Sequence, residues 1–134
     1  MSFRALYVPQ NTYRLRTISA LEKTDLEWTC LQVGQIADYL GTPHLPSHFS
    51  PYAVQIDVAN AAAAIPGSGD DKISFTYSRD IARFVEAALG LEKWERTMRC
   101  CSDVRSLNEV VKLAEEARGK LLACFPVTNV RLCC

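Results

Sequence analysis

The run at 26–33, LEWTCLQV, constrains the fold more than any other feature of this chain. Trp28, Thr29, Cys30, Leu31 and Val33 are β-formers in nearly unbroken succession. A run without polar alternation suits a strand covered on both faces, as in a parallel sheet. Just before it, Leu15, Ile18 and Leu21 recur at a spacing of three, which predicts a helix over 13–24. Helix followed by covered strand is one step of an α/β fold. The length of 134 residues allows one such domain or a part of one.

After Gly34, residues 35–41 are expected to form a short helix, with Ile36, Tyr39 and Leu40 on one side. The segment TPHLPSHFSP at 42–51 holds three prolines and is expected to be a long surface loop. A short strand is expected over 54–58. Segments 61–65 and 72–76 flank PGSGDD, which predicts a hairpin closed by a glycine-rich turn. Short strands are also expected at 97–101 and 121–125.

Two helices carry stronger signals. Ser78 is a candidate N-cap with Asp80 in the first turn, and Ile81, Phe84, Val85, Ala88 and Leu89 form an apolar stripe that ends at Gly90. Ser106 and Glu109 have the S-x-x-E spacing of a capping box. Leu107, Val110, Val111, Ala114 and Ala117 follow, and Gly119 closes that helix.

Charge and composition exclude several classes. Lys+Arg is 15 and Asp+Glu is 15, so the chain lacks the basic excess expected of a nucleic-acid binder or a polybasic membrane-surface protein. Hydrophobic residues at 49% and charged residues at 22% describe a globular chain rather than a disordered one. No apolar run approaches the roughly 20 residues of a membrane span, and MSFRALYVPQNTYRLR lacks the apolar core of a signal peptide. A cytoplasmic chain is expected, and with it reduced thiols at Cys30, Cys100, Cys101, Cys124, Cys133 and Cys134.

The sites that reward inspection are few. His44 and His48 are four apart, but Pro46 between them disfavours a shared helix face, so loop histidines and no metal site are expected. Gly67-Ser68-Gly69 lacks the third glycine of a dinucleotide fingerprint and the Lys-Ser/Thr of a P-loop, and a tight turn is expected there. Tyr77 and Asp80 could form an acid/base pair, but Asp80 in a first turn has the ordinary task of opposing the helix dipole. Arg14 and Arg16 remain protonated at any working pH. They can bind an anion but cannot shuttle a proton.

Three blocks resemble the NmrA-like family, and specifically its fungal isoflavone-reductase-like members. They are LEKTDLEWTCLQVGQIADYLG at 21–41, AAIPGSGDDKISFTYSRDIARFVEAALGLEKW at 63–94 and SLNEVVKLAEEARGKLL at 106–122. The resemblance implies an α/β, partial Rossmann-like fold that lacks the N-terminal dinucleotide-binding βαβ units. It implies an N-terminal lead at 1–11, the C-terminal part of an NmrA-like domain at 12–125 and a tail at 126–134. It also implies an NAD(P)-dependent oxidoreductase of the short-chain dehydrogenase/reductase type, with NADP as cofactor and a small organic molecule as substrate.

Family reductases carry a lysine fifteen residues before the threonine that corresponds to Thr29, and that position here is Arg14. Gly34, Gln35 and Ile36 match the segment beside the nicotinamide, and 42–60 falls where the family builds its substrate pocket. The arginine and the missing glycine-rich turn leave two alternatives open. One is a non-catalytic NAD(P)-sensing regulator or protein-binding module, and the other is a fragment without function. Either could associate as a homo- or hetero-oligomer that covers the open sheet.

Overall fold

The computed structural model describes residues 9–127. In chain order the elements are α1 (Pro9–Leu21), β1 (Cys30–Gln32), β2 (Gln35–Ile36), α2 (Asp38–Gly41), β3 (Ile56–Asp57) and β4 (Ala62–Pro66). They continue as β5 (Lys72–Thr76), α3 (Ser78–Leu89), β6 (Thr97–Arg99), β7 (Asp103–Ser106), α4 (Leu107–Arg118) and β8 (Ala123–Val127). The strands form three small sheets, ordered β1-β6, β2-β5-β7 and β3-β4-β8. The pairs β1·β6, β2·β5 and β4·β8 are parallel, whereas β3·β4 and β5·β7 are antiparallel. This is the expected mixed α/β class.

The core lies in the C-terminal part. Ile56, Ala63 and Ile65 of the third sheet meet Leu107, Val110, Val111 and Ala114 of α4, with Phe75 and Leu122 closing the cluster. The apolar positions of α4 fall at the helical period, so one face is buried while the other carries charge. Both halves of the Ser106–Glu109 capping box form. The Glu109 amide donates to Ser106 Oγ at 3.2 Å, and the Ser106 amide donates to Glu109 Oε2 at 2.7 Å. Gly119 ends α4 in the left-handed conformation, as its place in the sequence predicts.

Several expectations are corrected. The hairpin does not form, because β4 and β5 enter different sheets. The turn between them is anchored on α4 instead. Gly69 O accepts from the Asn108 amide, and the Asn108 side chain donates to Ser68 O and to Asp70 Oδ1. Gly67 and Gly69 take positive φ, which steers the chain toward that helix end.

The helix expected over 35–41 is a strand, Gln35–Ile36, followed by the four-residue α2. Pairing with β5 outweighs the weak local helical pattern. The first helix spans Pro9–Leu21 rather than 13–24, and residues 22–24 continue it only as turns. The strand expected over 26–33 narrows to Cys30–Gln32, and β6 pairs with it on one side only. The strand at 54–58 shortens to Ile56–Asp57, and β7 was not foreseen. Ser78 is the first helical residue of α3 rather than its cap, and Gly90 is not left-handed.

The apolar stripe of α3 is the largest departure. Among the described residues nothing buries it, and Phe84, Val85 and Leu89 are 37%, 43% and 67% exposed. The pattern that normally marks a core-facing helix here marks an uncovered face.

Two predictions follow from the α4 cap. Ser106→Ala should cost about 1 kcal/mol in urea unfolding, the usual loss for a buried N-cap. The bond and charge of Lys72 hold the Glu109 carboxyl at about 2, below the 4.5 it has when unfolded, together with the Ser106 amide. The folded value is depressed, so this stabilisation is present above about pH 4.5 and is lost as pH falls to about 2. Glu109→Gln should flatten the fall of the urea midpoint across that window. An unchanged slope would mean that other carboxylates govern the acid limb.

Candidate functional site

The expected site residues lie along the path from α1 through β1 to β2. Arg14 sits on α1, and its Nη2 donates to Cys30 Sγ at 3.3 Å, where β1 begins. A cleft of about 250 Å³ opens there, lined by Arg14, Ile18, Glu22, Trp28 and Arg96. The Arg96 guanidinium lies over the Trp28 ring at 4.4 Å, a cation–π contact that fixes one wall.

Gly34 follows β1 with φ +66. A Cβ there would stand 2.3 Å from Ser74 O, so glycine is required by backbone packing against β5. Gln35 and Ile36 run parallel to β5, in register with Phe75 and Thr76. The Gln35 side-chain amide donates to Gln55 Oε1 at 2.5 Å, which ties β2 to the approach to β3. Gln35 and Ile36 line a narrow cleft with Tyr39, Val54 and Phe75. Gly34 lines a different one with Gln32, Ser74 and Arg99. The structure therefore sets Gly34 in one cleft, Gln35 and Ile36 in a second and Arg14 in a third.

The best-built polar constellation lies just beyond Ile36 and was not singled out as a site from the sequence. Asp38 is fully buried. Its Oδ1 accepts from Ser47 Oγ at 2.7 Å and from Ser78 Oγ at 2.6 Å, and its Oδ2 accepts from the Ser78 amide at 2.8 Å. Burial opposes the charged form. The Ser78 hydroxyl, the Ser47 hydroxyl and the Ser78 amide more than offset it, so the carboxyl lies below its usual 3.8. A carboxylate at the first turn of α3 also meets the positive end of the helix dipole.

A second carboxylate braces the same helix end. Asp80 Oδ2 accepts from Ser102 Oγ at 2.7 Å, and Ser102 Oγ accepts from the Tyr77 amide at 3.2 Å. Asp80 therefore occupies the first-turn position expected of it and makes no contact with the Tyr77 hydroxyl among the described hydrogen bonds. Thr76, also fully buried, donates from its hydroxyl to Val33 O, with Cys100 O a second acceptor at 3.3 Å. These bonds fix the ends of β1, β5 and β6 around Gly34.

The segment 42–51 is irregular, as its prolines predict, and His44 and His48 lie in it. Tyr39 packs edge-on against Phe49 and Tyr52, with ring centroids 5.6 and 5.9 Å away. Ser47 holds the middle of this strap to Asp38. The strap thus hangs on one aromatic cluster and one buried carboxylate.

The described residues place three arginines, Arg14, Arg96 and Arg99, along the two clefts. They do not supply a cradle for a pyrophosphate. Gly67 and Gly69, the other glycines at a turn, precede a strand, and Gly69 packs against Asn108 of α4. A complete dinucleotide does not fit the described residues alone.

Comparison with known proteins gives a consistent picture. No family model matches the chain. It is 33% identical over 116 residues to the oxidoreductase BOA1 of Botryotinia fuckeliana, a match covering 87% of this chain and 39% of that protein. It is 30% identical over 99 residues to the oxidoreductase swnN of Metarhizium robertsii, covering 71% of this chain and 29% of that one. The chain thus spans well under half the length of the curated relatives it matches.

Among solved structures it resembles the UDP-glucuronic acid 4-epimerase of Bacillus cereus, crystallised with UDP-glucuronic acid and NAD. The TM-score is 0.61 at 15% identity, covering 96% of this chain and 43% of that one. It also resembles TunA, an NAD-dependent NDP-hexosamine 5,6-dehydratase, with a TM-score of 0.57 at 13% identity, covering 97% and 43%. The fold is therefore part of a Rossmann-like fold. No helix among the described residues is long and apolar enough to cross a membrane.

Removing the buried carboxylate tests this geometry. Asp38→Ala should cost about 3 kcal/mol in urea unfolding, because it leaves the Ser78 amide and two hydroxyls without their charged acceptor. Amide exchange should quicken at the start of α3 and in 42–51 before it does in α4. A uniform loss across the chain would refute the local role.

Proposed function

We propose that this chain is the C-terminal part of an NmrA-like, isoflavone-reductase-like oxidoreductase that uses NADP and acts on a small organic substrate. The observation that carries this proposal is the 33% identity over 116 residues to a curated oxidoreductase. The likeness to NAD-dependent epimerases and dehydratases supports a nicotinamide dinucleotide as the cofactor class. Gly34, Gln35 and Ile36 are assigned to the wall beside the nicotinamide, and the segment 42–60 to the substrate side. When bound, the cofactor would supply hydride. This chain's own residues would orient its ring and exclude water.

The phosphate cradle belongs to the dinucleotide-binding βαβ units, which the matched relatives have the length to hold. The partner surface is assigned to the free edge of β1 and the bare stripe of α3. Either those units or another subunit would cover both. The setting is assigned to the cytoplasm. The isolated chain is proposed to be inactive.

A second reading is a non-catalytic, cofactor-sensing or partner-binding protein, and one observation favours it. Arg14, at the family's lysine position, bonds to Cys30 Sγ, and a guanidinium cannot pass a proton at working pH.

Thermal melts with NADPH distinguish these possibilities. A ligand at a hundredfold over its Kd stabilises the folded state by about 2.7 kcal/mol, which is a visible rise in Tm. The 134-residue chain should show no rise. A fusion joining it to the unmatched part of the Botryotinia oxidoreductase should show one. A fusion that melts cooperatively without an NADPH-dependent rise would refute the proposal. A rise without turnover, with turnover appearing on Arg14→Lys, would favour the sensing reading for the natural sequence.

A further inference from the structure

Cys100 and Cys101 are adjacent and lie where β6 hands over to β7. The pair is held at both ends by different sheets. The Cys100 amide donates to Gln32 O at 3.0 Å, and the Ser102 amide donates to Phe75 O at 2.8 Å. Both cysteines line the Gly34 cleft of about 270 Å³, together with Gln32, Ser74 and Arg99. Both thiols are free, Cys101 exposed and Cys100 half-buried. Burial, and the neighbouring Cys101, push the Cys100 thiol above its usual range.

Geometry decides what such a pair can bind. The peptide between them is trans, since the cis bond among the described residues is Thr42-Pro43. Consecutive Cα atoms across a trans peptide are about 3.8 Å apart. A relaxed disulfide needs roughly 4.4–6.8 Å. Direct S–S closure is therefore strained, and the pair persists as a dithiol. A single soft atom bonded to both sulfurs lengthens the bridge and removes that strain, and thiolates select soft centres.

We propose that Cys100 and Cys101 form a vicinal-dithiol site for trivalent arsenicals and like thiophilic centres, whose occupancy fills the cleft beside Gly34. With an organoarsenous oxide, two S–H bonds and the arsenic–oxygen bond break, two As–S bonds form, and the oxygen leaves with both protons as one water. Arsenic stays trivalent, so no oxidant or reductant is needed.

The test uses phenylarsine oxide on the full chain without any cofactor, so it is independent of the oxidoreductase proposal. Cys133 and Cys134 are a second adjacent pair outside the described residues, so the background carries C133S and C134S. Intact mass should show one phenylarsenical per chain, retained in excess glutathione and removed by dithiothreitol. Cys100→Ser or Cys101→Ser should weaken retention at least about tenfold, because no second sulfur closes the chelate. Cys30→Ser and Cys124→Ser should leave it intact.

Peptide mapping of the C133S/C134S background chain gives a readout that needs no substitution in this pair. The arsenical should block iodoacetamide at Cys100 and Cys101 and nowhere else. No adduct in this background, displacement by glutathione, or protection at other cysteines would overturn the proposal.

Discussion

The arrangement around the site depends on one buried negative charge. Asp38 has no exposed surface, yet it stays ionised because three donors converge on its two oxygens. Those donors come from two separated places, Ser47 on the proline-rich strap and Ser78 at the head of α3. One carboxylate therefore sets where the strap lies and where α3 begins. A buried charge is costly unless it is fully hydrogen-bonded. Here that requirement makes the contacts mutually dependent, since losing any one donor leaves the others around an under-satisfied ion.

The same arrangement explains which parts of the fold were legible in the sequence. The α4 helix was legible from end to end, because its signals are local: a capping box three residues wide, a stripe at the helical period and a glycine at the stop. The cap of α3 was not. Ser78 has the composition of an N-cap, but the acceptor that satisfies the helix end is forty residues away. The hairpin failed for a similar reason. Two short strands around a glycine turn form a hairpin only if they pair with each other, and Asn108 draws the turn onto α4 instead. Of the candidate site, Arg14, Gly34 and the Gln35–Ile36 pair line three different clefts, because register between helix and strand is set by packing and successive residues of an extended chain face opposite ways.

Among the described residues the α3 stripe is bare and β1 is paired on one side only. A strongly amphipathic helix and a two-stranded parallel ladder are both stable only against further layers. The curated relatives are longer than this chain by more than half of their own length, and the epimerase-like folds are similarly larger. The buried core gathers in Ile56–Leu122, where sheet and helix meet, and among the described residues α1 with β1 contributes nothing to it. The expected cofactor segment, Gly34–Ile36, thus lies at the border between α1 with β1 and the packed part, paired with β5 at Phe75.

That imbalance bears on how chemistry could be divided in such a fold. Arg14 is tied to Cys30 and faces a cleft of its own, whereas Gly34 lies where β1, β5 and β6 converge. Thr76 and the Ser102–Asp80 pair brace that convergence with hydrogen bonds. A preformed corner of this kind costs little to occupy, because its side chains are already ordered. A cation on a partly exposed helix has no such advantage. The proposed nicotinamide wall thus sits at the corner held by more hydrogen bonds, and Arg14 lies in a cleft apart from it.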